Sequence, residues 1–338
     1  MRRPTIADIA ERAGVSKVAV SYALNDRPGV SAATRASIKA IAAELGWRPN
    51  SAARALTGAR AQAVGLTLCR PARTLGVEPF FMELISGIEA ALADRSYALT
   101  LQIADGAGTE IEIYRRWWGE GRVDGVFLVD LHITDPRVAA VAELGLPAVV
   151  VGPPGVSGAL PTVWSDDAAG VREIVQYLNV LGHRRIARVA GLPHLAHTAV
   201  RDAALREACR EAGLPEPVVV HTDYTGEAGA SAARGLLIAP ERPTALVFDN
   251  DIMAVAALSV AQELGMDIPA DVSLVAWDDS PLTQVVRPPL SAMTRDIHAY
   301  GARAARVLLA HIAGERVADV RQEHARLIPR GSTGRPPR

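Results

Sequence analysis

Cysteine is nearly absent from the 338-residue sequence: only Cys69 and Cys209 occur, far apart and outside any C-x-x-C pair. This excludes a disulfide framework and a zinc ribbon, and it predicts a reducing compartment. Aromatic residues make up only 4% of the chain, and lysine is confined to Lys17 and Lys39. No apolar run reaches the roughly 18 residues of a membrane span. The opening MRRPTIADIAERAG lacks the apolar region of a signal peptide. A cytoplasmic protein with no membrane association is expected. Catalytic signatures are missing as well. No G-x-G-x-x-G follows the early apolar run AVGLTLC, no G-x-x-x-x-G-K-[ST] occurs, and there is no G-x-S-x-G elbow. His183, His194, His197 and His221 show no metal-ligand spacing. Neither an enzyme nor a cofactor- or metal-dependent protein is expected.

The charge that is present is unevenly placed. Residues 1–60 carry ten Arg/Lys against four Asp/Glu, leaving 26 against 33 for residues 61–338, although the whole chain sums to −1. Basic termini are common, but a small basic unit joined to a large acidic one also suits a first part that meets a polyanion. The length predicts more than one domain.

In TIADIAERAG, Thr5 with Asp8 three residues on forms a capping box. Ile6, Ile9, Ala10 and Ala13 follow helical spacing, and Gly14 stops the helix. Ser16 caps a second helix ending near Leu24. A third is capped by Ser31 and stopped by Gly46, with Ile38, Ile41 and Leu45 inward. Two short helices about a tight glycine turn are a helix-turn-helix candidate. On the second, Val20, Ala23 and Leu24 fall on one arc, and Lys17, Val18, Ser21 and Tyr22 fall on the other. In such a motif the start of the second helix meets base edges in the major groove. There Lys17 can donate to guanine, Val18 can touch a thymine methyl, and Tyr22 can bond a base edge or phosphate. The same face also reads as an ordinary solvated one with a single lysine.

Between the basic and acidic parts lies NSAARALTG, Asn50 to Gly58. A helix this short falls below the 12–15 residues or so that hold alone in water, so it should order only against a partner. Leu56 is its one large apolar side chain, and two copies in a dimer could wedge their leucines into one minor-groove step. A plain linker is the alternative, though Gly/Ser repeats are lacking.

Taken together, TIADIAERAGVSKVAVSYALN, GVSAATRASIKAIAAELGWRPN and SAARALTG resemble the LacI/GalR family of bacterial transcription regulators, and the resemblance runs through the whole chain. It implies that Lys17, Val18 and Tyr22 read bases and that Leu56 intercalates at a central CpG step. Further DNA contacts are implied at Thr5, Ser16, Ser21, Asn25, Ser31, Asn50, Ala53 and Arg54. Many members carry Arg or His where Tyr22 stands, which sets this half-site apart.

From Ala63 onward, apolar runs such as VDGVFLV, PAVVVG, TALVFD and DVSLVAW alternate with amphipathic stretches such as VREIVQYLNVLG and DIMAVAALSVAQELG. Such alternation predicts doubly wound parallel sheets, too many units for one. The resemblance implies an α/β periplasmic-binding-protein-like domain of two subdomains, beside the small all-α headpiece, with crossings near Pro161, Leu290 and Val320. The expected division is a headpiece at 1–49, a hinge at 50–60 and an effector and dimerisation domain at 61–338. Within the last, about 61–161 and 291–320 form one subdomain, and about 162–290 and 321–330 form the other.

Ligands of open α/β sheets sit outside the carboxyl ends of the strands. Those ends are Arg70 to Phe81, Trp164 to Asp167, Leu192 to Arg201, Asp223 and Tyr224, Asp249 to Asp251, and Trp277 to Asp279, with Phe80, Phe81, Trp164, Asp166, His197, Arg201, Tyr224, Asn250, Trp277 and Asp278 as the candidates. Carboxylates, an amide, an arginine and aromatic faces suit a polyhydroxylated molecule. The resemblance implies effector contact at Arg201, Asn250 and Asp278, pocket walls at Phe81 and Tyr224, a strand-end acid at Asp166, and a ligand-dependent loop at His197. Against this, Asp166, Asp249 and Asp251 can simply cap the helices after them, and Trp164 and Trp277 can be core or interface residues. The basic C-terminal RLIPRGSTGRPPR has no leucine heptads, so a homodimer is expected rather than a coiled-coil tetramer.

The sequence therefore predicts a regulator, most simply a repressor, that binds a palindromic duplex DNA operator under control of a sugar-like small-molecule effector. A purine- or nucleoside-responsive, co-repressed regulator is the alternative. A stand-alone sugar-binding protein fits less well, because it would have no use for the first sixty residues.

Overall fold

The structure is a computed structural model that describes residues 4–47, 60–70 and 78–337. The chain divides into two compact units, Met1–Ala61 and Gln62–Arg338. In the first, α1 (Ile6–Ala13), α2 (Lys17–Leu24) and α3 (Ala32–Glu44) are each started by a side-chain cap. Thr5 and Asp8 exchange the two bonds of a capping box, Ser16 Oγ accepts from Ala19 N–H at 3.1 Å, and Ser31 Oγ accepts from Thr34 N–H at 3.1 Å. Gly14, at φ 65°, supplies the left-handed residue that ends α1. Ile9, Val20, Ala23 and Ile38 are fully buried where the three helices meet, and Ile6, Leu24, Ile41 and Leu45 pack around them.

The second unit contains two six-stranded sheets. The first runs β11-β5-β4-β3-β1-β2, from β1 (Ala63–Leu68), β2 (Ala98–Ile103), β3 (Gly125–Val129), β4 (Ala148–Val151), β5 (Thr162–Trp164) and β11 (Val320–Arg321). The second runs β12-β10-β9-β8-β6-β7, from β6 (Ile186–Ala190), β7 (Val218–His221), β8 (Ala245–Phe248), β9 (Ser273–Trp277), β10 (Ser291–Thr294) and β12 (Arg326–Ile328). All pairs are parallel except β10 with β12. Strands β3, β4, β6, β8 and β9 are buried along their whole length, whereas edge strands β2 and β7 carry exposed positions. Continuous Val/Leu/Ala/Phe runs are what a sheet covered on both faces requires.

The chain passes between the sheets after Trp164, after Thr294 and after Arg321. The first two passages lie a few residues beyond the expected Pro161 and Leu290 and the third next to Val320, because a last short strand pairs with the sheet being left before the chain departs. Helices Pro79–Ala93 and Ile297–Ile312 then meet backbone to backbone: a Cβ on Gly87 would sit 1.9 Å from His298 O, and one on Gly301 2.2 Å from Leu84 O. The C-terminal stretch is stitched to the second sheet, with Leu274 N–H donating to Ser332 O and Ser332 Oγ to Leu274 O, at 2.9 and 2.6 Å. Topologically, β1 lies between β2 and β3, and β6 lies between β7 and β8. Strand order reverses there, which is where such sheets open a crevice at their carboxyl ends.

Candidate functional site

In the first unit, α2 buries Val20 and Ala23 and leaves its other face outward: Val18 is 60% exposed and Tyr22 38%. Lys17 is exposed and Ser21 half-buried on the same face. The Tyr22 ring leans on Gly29, whose φ of 110° lets the backbone turn beneath it. Arg35 and Lys39 are both bonded to Asp26, and Arg12 to Glu44. Lys17 and Arg27 carry no ion pair among the described residues and remain available to a polyanion. Thr5, Ser16 and Ser31 spend their hydroxyls on the caps, and Asn25 donates its amide to Ser21 O at 2.8 Å. These four side chains hold helix ends, Thr5, Ser16 and Ser31 at N-termini and Asn25 at the C-terminus of α2.

In the second unit, the strand ends of both sheets enclose a cleft of about 280 Å³. Three guanidinium groups define it. Arg70, after β1, is bonded to Asp130 at 2.7 Å and lies over Tyr224 and Phe81, at 5.0 and 5.6 Å from the ring centres. Arg201 is bonded to Asp167 at 2.7 Å, lies 3.5 Å from Asp249, and rests 3.9 Å above the Trp277 ring. Arg295 is bonded to Asp278 at 3.1 Å and faces Phe80 at 5.1 Å. Behind Arg201, Asp249 accepts Arg188 Nη2 at 2.6 Å and the Gly191 N–H at 2.8 Å. Arg188 also bonds Asp202, which accepts from His221 on the surface at 2.9 Å.

The backbone is strained where the cleft is built. Asp130, Tyr224 and Asp278 have φ of 50°, 69° and 68°, a left-handed conformation that non-glycine residues rarely adopt and that gathers at functional sites. Tyr224 also needs Gly191, since a Cβ there would lie 1.8 Å from its ring. The Tyr224 hydroxyl bonds His197 Nε2 at 2.6 Å and Thr198 Oγ1 at 3.1 Å.

Electrostatics divide the carboxylates into two sets. Burial opposes ionisation of Asp249, but Arg188 and Arg201 outweigh it and hold the group at about 2. Glu78 goes the other way: burial, reinforced by Asp130, Asp278 and Asp251, defeats the pull of Arg70 and pushes it up to about 7. Burial, with Asp278 adding to it, raises Asp251 to about 6. Burial and the Arg201 cation lower His197 to about 4, so its ring is neutral at pH 7.

Comparison with known proteins settles the family. Residues 5–50 match the bacterial regulatory proteins of the lacI family, and residues 175–333 match a periplasmic binding protein-like domain. The HTH-type transcriptional regulator CelR of Thermobifida fusca is 35% identical over 324 residues, 95% of each chain. The chain belongs to the LacI family of transcription regulators.

A CelR–cellobiose complex is 33% identical, covers 98% of this chain and 100% of its own, and superimposes with a TM-score of 0.74. A lac repressor dimer bound to operator and the anti-inducer ONPF matches at TM-score 0.83 over 98% of this chain and 100% of that one; at 24% identity it shows the shared fold. Among the described residues no helix is long and apolar enough to cross a membrane.

Within this LacI-family chain, Phe80, Phe81, Trp164, Asp166, His197, Arg201, Tyr224, Asn250 and Asp278 all line the cleft. Trp277 does not: it is 1% exposed, packed in the core under Arg201, and supports that guanidinium from behind. Asp166 does cap the helix after it, accepting from Ala169 N–H at 2.9 Å, while its other oxygen meets Arg321 at 2.7 Å. The cap of the helix after β8 is Asn250, not Asp249 or Asp251, and its amide donates to Tyr224 O at 2.9 Å. Asp130, Arg295 and Tyr300 also line the cleft, outside the strand-end stretches read from the sequence, and so do Arg70, Glu78 and Asp167, which fall within those stretches. Asp130 directly follows β3 and obeys the same strand-end rule. Arg295 and Tyr300 sit where the chain crosses between sheets, and nothing local marks them. Asn50, Ala53, Arg54 and Leu56 lie outside the described residues.

An acid held protonated in the folded state above its unfolded value of 4.5 loses that stabilisation as pH rises through about 7. Glu78→Gln is therefore expected to stabilise the ligand-free protein by about 1–3 kcal/mol at pH 8 and far less at pH 5. Urea unfolding at the two pH values checks this; an equal change at both contradicts the raised acid.

Proposed function

We propose that the chain is a homodimeric repressor whose cleft takes a sugar or sugar derivative and thereby sets its affinity for a palindromic operator. The observation that carries the effector reading is the cleft itself. Phe80 and Trp164 offer aromatic surface, and Tyr224 backs the wall, beside carboxylates and guanidinium groups, the surroundings a polyhydroxylated ring requires. The cellobiose bound to the related CelR supports the same class.

On the DNA side, Lys17, Val18, Ser21 and Tyr22 form the reading face of α2 in the major groove. Thr5, Ser16 and Ser31 set helix N-termini, which suit phosphates, and Asn25, at the C-terminal end of α2, contacts the DNA beside the reading face. Asn50, Ala53, Arg54 and Leu56 belong to a hinge that folds on the central minor groove, where Leu56 wedges open a CpG step and bends the duplex. Effector binding shifts the balance between cleft conformations and hence the geometry of the hinges, to the extent that it prefers one conformation over the other.

Selection of random duplexes by the full-length chain at near-physiological salt is expected to return a palindrome with a central CpG. On that duplex Leu56→Ala should abolish most of the bend, and an unchanged bend angle contradicts intercalation. Asp278→Ala should remove the effector response with operator affinity nearly intact; loss of operator binding alongside normal effector binding contradicts the assignment of Asp278 to the cleft.

A further inference from the structure

The described cations of the cleft are already used. Arg70 is held by Asp130, Arg201 by Asp167 with Asp249 near, and Arg295 by Asp278. The carboxylates are in excess, and two of them keep one oxygen without a hydrogen bond: Glu78, loosely paired with Arg70, and Asp251, whose other oxygen accepts from Ile252 N–H at 2.8 Å. Glu78 is 7% exposed and Asp251 3%, yet Glu78 Oε2 and Asp251 Oδ2 have no hydrogen-bond partner. Glu78 stands at the N-cap of the helix Pro79–Ala93 and makes no capping bond. Arg70 Nε is likewise without a partner and lies 3.7 Å from Glu78 Oε2, too far for a hydrogen bond between them. Buried polar groups left in this state are costly and normally find a partner.

We propose that the cleft is a charge filter: it accepts an uncharged, hydroxyl-rich ligand and rejects the phosphorylated or carboxylated form of the same molecule, through Glu78 and Asp251. This rests on the reading of the cleft as the effector site. A hydroxyl donates and accepts at once and brings no charge, so it can enter beside these groups without opposing the excess of carboxylates. A phosphate or carboxylate can only accept. It would set a like charge against Asp278 and, where the pH is high enough to ionise them, against Glu78 and Asp251, in a site where no described guanidinium is free to compensate. The raised acidities of Glu78 and Asp251, driven by burial and then by their acidic neighbours, express the same resistance to further negative charge. Arg70 lies over the Phe81 and Tyr224 rings, which restrict its freedom to swing toward an anion.

The test is calorimetric titration of the full-length chain with matched pairs: cellobiose against cellobiose 6-phosphate and cellobionate, maltose against maltose 6-phosphate, and adenosine and cytidine against their monophosphates. At least one neutral member is expected to bind, with its anionic twin at least about 100-fold weaker. At pH 8, where both acids are ionised, Glu78→Gln and Asp251→Asn should each shrink that ratio about tenfold, and the effect of Glu78→Gln should fade toward pH 6, a dependence that a merely structural role would not produce. An anionic twin that binds as tightly as its neutral partner overturns the filter while leaving a sugar site standing. Binding of a neutral nucleoside but no sugar overturns the sugar reading and leaves the filter. A panel in which no neutral member binds overturns both, and an unchanged ratio in both variants overturns the assignment to these two residues.

Discussion

Asp249 carries more of the cleft than any other side chain. Buried at the end of β8, it holds Arg188 through both carboxylate oxygens, takes the Gly191 N–H, and faces Arg201 at 3.5 Å. Removing one partner of such a buried arrangement costs about 3–5 kcal/mol, because the remaining charges are left uncompensated. The consequences extend outward from there. Arg201 is aimed into the cleft, Gly191 keeps the space that the Tyr224 ring fills, and Tyr224 in turn bonds His197 and flanks Arg70 from the other sheet. The two halves of the second unit thus meet across one cleft, Asp249 anchoring the side chains of the second sheet while Asp130 and Asp278 hold Arg70 and Arg295.

That interlocking explains why the site is rich in charge but offers little free charge. Each guanidinium is stacked on an aromatic ring and tied to a carboxylate, so its donors are preorganised in direction. The left-handed conformations of Asp130, Tyr224 and Asp278 add to this rigidity. A ligand that replaces water here finds hydrogen-bonding groups already aimed, which lowers the ordering cost of binding.

What could be read directly from the residues follows the range of the interaction responsible. The caps at Thr5, Ser16 and Ser31 and the two arcs of α2 depend on neighbours within one or two helical turns, and they are visible as spacing. Buried strands show as unbroken apolar runs, and strand ends then point to the nine lining residues from Phe80 to Asp278. Trp277 escapes this logic because β9 is buried on both faces, so its last residue enters the core beneath Arg201 instead of the cleft. Arg295 and Tyr300 arrive through a crossing between sheets, and the acidity of Glu78 depends on groups brought in from four separate segments. Such long-range placement leaves no local signature in the chain.

The central claim is that occupancy of the cleft and occupancy of the operator are coupled, and coupling of that kind must be reciprocal. The most direct measurement is a pair of titrations on the full-length chain: operator duplex with and without saturating cleft ligand, and cleft ligand with and without saturating operator. The account predicts that both affinities change by the same factor, in the range of about 5- to 150-fold. A ligand that binds the cleft tightly yet leaves operator affinity unchanged, and is itself indifferent to the operator, contradicts it.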